Sequence, residues 1–277
     1  MESHDLKQLE TRGYTVIPNF LTPAKLAECV EIYKQLPETY SNKNYSLKKS
    51  STAIIPEVLA LLKEITAVTN ITANSVSRNT IYFDNSLVEF CWHQDHESYY
   101  RWQNSYNSLN FWIPIIKPSA DRSGIGIIPY DILQSIVPDV AETQVRNRGA
   151  KRFGVQTDGT TKMYNDELGT EEILPVNFND IGETPAVLPG DLILMREDTI
   201  HKTQEITGHR VAMSIRCIDS NSILTAENFN IGEDLKKSMI NKNLDSYAEL
   251  IKGFKVNPTM IAHRAFDDFD HLFSREK

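Results

Sequence analysis

From about Asn70 onward the chain gives up helical spacing for short β-branched runs with apolar residues at every second position. That change restricts it to a mostly β core, because a period of two buries one face of a strand and leaves no stripe for a helix. Strands are expected at Ser75–Phe83, Leu87–His93, Ser108–Ile116, Gly124–Pro129, Ala186–Leu188, Asp191–Met195 and Val211–Ile218. Asp84-Asn85, Ser123-Gly124, Pro189-Gly190 and Thr207-Gly208 supply the turn chemistry between them. Helices precede this block. Asp5 to Arg12 reads as a helix closed by Gly13, and a short strand Tyr14–Ile17 follows. Thr22-Pro23 opens a second helix with Leu26, Cys29, Val30 and Tyr33 on one stripe. A third begins near Pro56 and buries Leu59, Leu62 and Ile65. Many short strands braced by helices point to a β-barrel or sandwich.

The 277 residues fit one domain, residues 1–277, able to bury its own core. Residues 131–185 are polar and poorly periodic and read as a lid-like insertion, and residues 232–277 read as a helical C-terminal segment. The formal charge of −8 argues against a nucleic-acid partner or an anionic membrane surface, both of which call for a basic footprint. Cys29, Cys91 and Cys217 are odd in number and far apart, so neither a disulfide framework nor a structural zinc site is expected. The first residues show no basic and apolar leader pattern, no apolar run is long enough to span a bilayer, and the expected compartment is the cytoplasm.

The chemistry concentrates at Cys91-Trp92-His93-Gln94-Asp95-His96-Glu97-Ser98-Tyr99. His93 and Asp95 stand two apart at a strand end and leave from one face, so both can reach one ion. Two histidines and one carboxylate on one face of an octahedron is the non-haem Fe(II) arrangement, with three positions left open. His-x-Asp alone is weak, since a surface histidine beside a solvated aspartate reads the same way. Two later features strengthen it. His201 follows the buried run Leu188 to Met195, and Arg210 opens the strand Val211–Ile218. Arginine suits a carboxylate because its planar fork donates two parallel hydrogen bonds. Arg210, Ala212, Ser214 and Arg216 share one strand face, which carries either an internal anion or solvent.

Four blocks together resemble the phytanoyl-CoA dioxygenase-like branch of the Fe(II)/2-oxoglutarate-dependent oxygenases. They are Gly13 to Pro18 with Phe20-Leu21-Thr22, His93-Gln94-Asp95, Gly190-Asp191 ahead of His201, and Arg210 with Ser214. The stretch Trp92 to Tyr99 is also similar to that of ectoine hydroxylases. The resemblance implies a double-stranded β-helix (a cupin-like jelly-roll) with helical buttresses, and Fe(II), 2-oxoglutarate and O2 as the reacting set. It makes His93, Asp95 and His201 the metal ligands and catalytic centre. Arg210, Ser214, Asn110 and Ser108 would face 2-oxoglutarate; Glu97, Tyr99 and Arg216 are the substrate candidates. In halogenating members a small residue replaces the carboxylate, so Asp95 favours hydroxylation. One departure is Pro129-Tyr130-Asp131-Ile132, where the family places Pro-Gly-Ser-His. The expected activity is hydroxylation of a C–H bond in a small molecule, such as an amino acid or other small zwitterion. The alternatives are a larger or carrier-bound natural product as substrate, a cupin-like metalloenzyme that does not use 2-oxoglutarate, and a non-catalytic binding module.

Overall fold

The computed structural model describes residues 3–35, 44–48, 53–84, 90–95, 108–149, 151–166, 168–205, 207–227 and 252–261. The strands are β1 (Tyr14–Ile17), β2 (Asn44–Lys48), β3 (Ser75–Asp84), β4 (Leu109–Ile116), β5 (Ile125–Ile128), β6 (Lys151–Val155), β7 (Thr161–Asn165), β8 (Thr170–Leu174), β9 (Leu192–Arg196), β10 (Ile200–Thr203), β11 (Val211–Ile218), β12 (Ile223–Thr225) and β13 (Thr259–Ile261). The longer helices are α1 (Ser3–Thr11), α2 (Pro23–Lys34), α3 (Ile55–Val68) and α4 (Tyr130–Ile136).

β4 reads Leu-Asn-Phe-Trp-Ile-Pro-Ile-Ile and is buried from Leu109 to Ile115. A strand covered on both faces belongs inside a sheet, and β4 lies between β9 and β11 in the order β1-β9-β4-β11-β3-β2. Each neighbouring pair in that sheet is antiparallel. The second layer starts with β5 and β10. His93 then bridges to His201 of β10 on one side and Arg152 of β6 on the other, and β7 and β8 follow β6.

Alternation along the strands decides which side chains meet the helices and which meet the interior. Phe111, Ile113 and Ile115 of β4, Leu192 and Leu194 of β9, and Val211, Met213 and Ile215 of β11 share one core with Leu6, Leu9, Leu62 and Ile65 of the helices. The residues between them face the other layer. Trp112, Ile193, Met195 and Ala212 pack with Ile125 and Ile127 of β5. Two layers with helices on the outer face form a braced jelly-roll. Phe111 is fully buried and packs against Phe20 at 6.2 Å between ring centroids. Phe111→Ala is expected to cost about 3–5 kcal/mol and to lower Tm by roughly 5–15 °C. Calorimetry checks this.

Several local expectations are met. Thr22 caps α2, its hydroxyl accepting from Lys25 N at 3.3 Å. Gly13 follows α1 at φ +81, and a Cβ there would come within 2.8 Å of Thr199 Oγ1 and the Tyr130 ring. Both the backbone angle and the space call for glycine. Two differ. Ala186–Leu188 is not a strand: Pro185 and Pro189 bracket it without N–H donors, and Leu188 N turns instead to Asp191 Oδ2 at 2.7 Å. Residues 131–185 carry regular structure, including the sheet β6-β7-β8, and their Phe153, Met163 and Phe178 share one core with Trp92, Ile128, Tyr130 and Ile200. Of the expected helical segment 232–277, residues 232–251 and 262–277 lie outside the described residues. Residues 252–256 are helical, and β13 after them pairs with β12. Among the described residues no helix is long and apolar enough to cross a membrane.

Candidate metal centre

The backbone around His93 is short of regular strand but fixed at both ends of the residue. His93 N donates to His201 O at 2.9 Å, and His201 N donates back to His93 O at 2.9 Å. Residues paired in this way carry their side chains on one face, so the pairing itself brings the two imidazoles together. Their ring centroids are 4.3 Å apart. Asp95, two residues on, adds its carboxylate to the same face, with Oδ1 3.8 Å from His93 Nε2 and 3.9 Å from His201 Nε2. One donor atom from each of the three lies within 4.8 Å of the others. Among the described residues no other group of three His, Cys, Asp or Glu converges in this way.

The ring orientation is set from behind. His93 Nδ1 is 2.7 Å from the Cys91 carbonyl oxygen, and His201 Nδ1 is 3.0 Å from the Thr199 carbonyl oxygen. A carbonyl only accepts, so each Nδ1 carries the proton and each Nε2 presents a lone pair. Two neutral imidazole nitrogens and a carboxylate oxygen are a donor set suited to a divalent first-row metal. Burial alone would raise the Asp95 carboxyl, but the Arg216 guanidinium beside it outweighs this and holds it below the ordinary carboxylate range. It is therefore an anion, ready to ligate.

Gln94, between the two ligands, points away from them. Its Nε2 donates to Val145 O at 2.8 Å and to Asp198 O at 2.7 Å. This ties the His93–Asp95 segment to the turn ahead of His201. That turn is itself anchored by the fully buried Asp198. Arg196 donates to both Asp198 oxygens at 2.9 and 2.8 Å, Asn147 N donates at 2.7 Å, and the Tyr130 hydroxyl donates as well. Burial would lower the Arg196 guanidinium, but the Asp198 carboxylate reverses this and holds it above its ordinary value. A buried carboxylate with this many donors makes a rigid support.

A cavity of about 100 Å³ opens beside the triad. His93, Asp95, His201, Asn110, Arg210, Ser214 and Arg216 all line it. Phe90, Trp112, Ile125 and Met195 supply apolar wall. Arg210 is buried, lies with its guanidinium 5.6 Å from the centre of the Trp112 ring, and donates to Ser123 O and Gly124 O, each at 3.1 Å. Burial pushes it down to about 10, with Asp84 opposing the shift. Ser214 Oγ donates to Asn110 Oδ1 at 2.8 Å. Ser108 does not line the cavity; its hydroxyl donates to Glu197 Oε2 at 2.7 Å. Arg216 lies against Asp95 and donates to its Oδ2. Glu97 and Tyr99 lie outside the described residues. The sequence reading passed over Glu197 and Asp198. The signal for both was present: two adjacent acids directly after the strand Leu192–Arg196 and a few residues before His201.

A two-layered antiparallel jelly-roll of this kind is a double-stranded β-helix, and His-x-Asp with a distant histidine at its cavity is a group that could hold a metal ion. Solved structures share this fold. The non-heme alpha ketoglutarate dependent epimerase SnoN from nogalamycin biosynthesis matches with a TM-score of 0.51 at 12% identity, over 79% of this chain and 82% of that chain. EvdO2 from Micromonospora carbonacea var. aurantiaca, complexed with 2-oxoglutarate, matches at 0.51 and 12%, over 79% and 91%. EctD from S. alaskensis, with 2-oxoglutarate and 5-hydroxyectoine, matches at 0.51 and 10%, over 81% and 78%. No family model matches the sequence, and no curated protein matches it.

Proposed function

We propose that the chain is an Fe(II)- and 2-oxoglutarate-dependent oxygenase that hydroxylates a C–H bond of a small molecule. The observation that carries this reading is the convergence of His93, Asp95 and His201 on one cavity that also holds the buried Arg210. An Fe(II) bound there, with 2-oxoglutarate and O2, supplies the oxidising power: one oxygen atom goes to the substrate C–H, the other to succinate, and CO2 leaves. The protein's part is holding and shielding. His93 and His201 offer Nε2, and Asp95 offers Oδ1. Three ligands leave the rest of the coordination sphere for co-substrate and O2. Arg210 is the partner for the carboxylate of 2-oxoglutarate remote from the metal, because a buried fork-shaped cation gains most from a planar anion. Ser214 and Asn110 line the cavity with it and offer neutral hydrogen bonds. Trp112, Ile125 and Met195 keep water from the reacting atoms. A cupin-like enzyme without 2-oxoglutarate would have no use for a buried arginine at this place.

The substrate reading is a free amino acid or another small zwitterion. Its support is the Glu97 and Tyr99 stretch after the metal motif, together with the likeness to EctD, whose structure holds 5-hydroxyectoine. SnoN has been solved with nogalamycin RO bound, which favours a larger natural product as the second reading. A screen for substrate-stimulated succinate formation separates the two. Free amino acids and cyclic zwitterions are compared with polycyclic and carrier-linked compounds. Stimulation of at least about tenfold by a member of the first set is expected. Stimulation by the second set alone replaces the zwitterion with the larger substrate.

A further inference from the structure

Asp95 uses its two oxygens differently. Oδ1 faces both histidine nitrogens, and Oδ2 accepts from Arg216 Nη1. Arg216 in turn stands 3.9 Å from Glu197 Oε1, and Glu197 Oε2 accepts from Ser108. The side chains of Arg216 and Asp95 are nearly buried, and that of Glu197 is wholly so. We propose that Arg216, backed by Glu197, is a positioning residue that fixes Asp95 as a one-oxygen metal ligand and couples it to the turn carrying His201. This rests on the metal reading given above.

The placement of Arg216 supports the role. It sits on the inner face of β11 opposite Asn110 of β4. On the other side, the pairing with β3 slips between Ile215 and Cys217, and Arg216 falls in the slip. Irregularities of this kind beside active sites re-aim a side chain. Glu197 lies on the segment between β9 and β10, four residues before His201, and its N donates to Ser108 O at 3.2 Å. The chain Ser108–Glu197–Arg216–Asp95 thus joins the start of β4, the turn before His201, β11 and the His93–Asp95 segment. The charges fit a dication. Within this group Glu197 offsets the charge of Arg216, so Asp95, Arg216 and Glu197 together present one net negative charge beside the two imidazoles. Without Glu197 the guanidinium would repel the ion across the ligand it holds.

That sign makes the proposal testable. A guanidinium acting only as a nearby charge weakens metal binding, so its removal would tighten it. One that holds a ligand does the reverse. The measurement is Co(II) binding to the full chain, read from the visible d–d bands and by competition with a chelator, without 2-oxoglutarate or O2. Arg216→Met is expected to bind Co(II) about 10- to 100-fold more weakly and to shift the bands as Asp95 loses its fixed orientation. Arg216→Lys, which keeps one donor for Oδ2, is expected to recover at least half of that loss on a logarithmic scale. Glu197→Gln is expected to weaken binding by about tenfold, and it removes only a charge if Arg216→Met fails to fold. Effects of Arg216→Met and Glu197→Gln are expected to be less than additive in the double variant, because both act through one carboxylate. Unchanged or tighter Co(II) binding in folded Arg216→Met, unchanged binding in Glu197→Gln, or a lysine variant as weak as the methionine one overturns the proposal. Wild-type protein that binds no Co(II) overturns the metal reading and this proposal together; wild type that binds it, with variants unaltered, overturns this proposal alone.

Discussion

His201→Ala leaves a folded protein that no longer holds metal and no longer turns over. The substitution removes one of three donor nitrogens and oxygens from a site that has no spare ligand among the described residues. Outer partners of a metal ligand are already worth about 10- to 100-fold in affinity, so loss of a ligand itself is expected to cost at least about 100-fold. Fold loss is not expected, because β10 keeps its backbone pairing with β5 through Ile200, Lys202 and Thr203. Titration with Fe(II) under anaerobic conditions, beside a thermal melt, checks both halves. Retained tight binding with a normal melt would remove His201 from the ligand set.

The second large effect is expected at Arg210. Arg210→Met is predicted to weaken 2-oxoglutarate binding by about 2–4 kcal/mol, roughly 30- to 1000-fold in Kd, the usual cost of taking one member from a buried charged pair. Metal affinity should stay near that of the wild type, because Arg210 makes its observed contacts with Ser123 O, Gly124 O and the Trp112 ring, away from the triad. Arg210→Lys is expected to lie between the two, since an ammonium keeps the charge and loses the fork. Binding isotherms for 2-oxoglutarate on metal-loaded protein measure this. A Kd unchanged in Arg210→Met would assign the co-substrate carboxylate to another group.

Much of this layout was legible in the sequence because it is local. The strands β3, β4, β9 and β11 follow from alternation and β-branching, and α2 from Thr22-Pro23. Gly13 announces the end of α1, and the structure adds a close approach by Thr199 and Tyr130. The clustering of His93, Asp95 and His201 was legible because the first two stand two apart and the third follows a buried run ending in a turn. The sheet β6-β7-β8 was harder to see. Its buried positions include Lys151, Thr161 and Asn165 as well as Phe153 and Met163, so polarity masked the period of two. The Arg216–Glu197 contact was not legible at all. It joins residues on two different strand ends, and the charges alone equally fit a solvated face. Ser108 shows the same limit: the resemblance implied a place facing 2-oxoglutarate, whereas its hydroxyl is directed at Glu197.

The claim on which the rest depends is that the His93, Asp95 and His201 cluster holds Fe(II) together with 2-oxoglutarate. Absorption spectroscopy of anaerobic protein with Fe(II) and 2-oxoglutarate tests it directly. A weak visible charge-transfer band that needs both additions, and that is missing in His201→Ala, is the predicted result. Fe(II) binding with no such band, or a band that survives in His201→Ala, would contradict it.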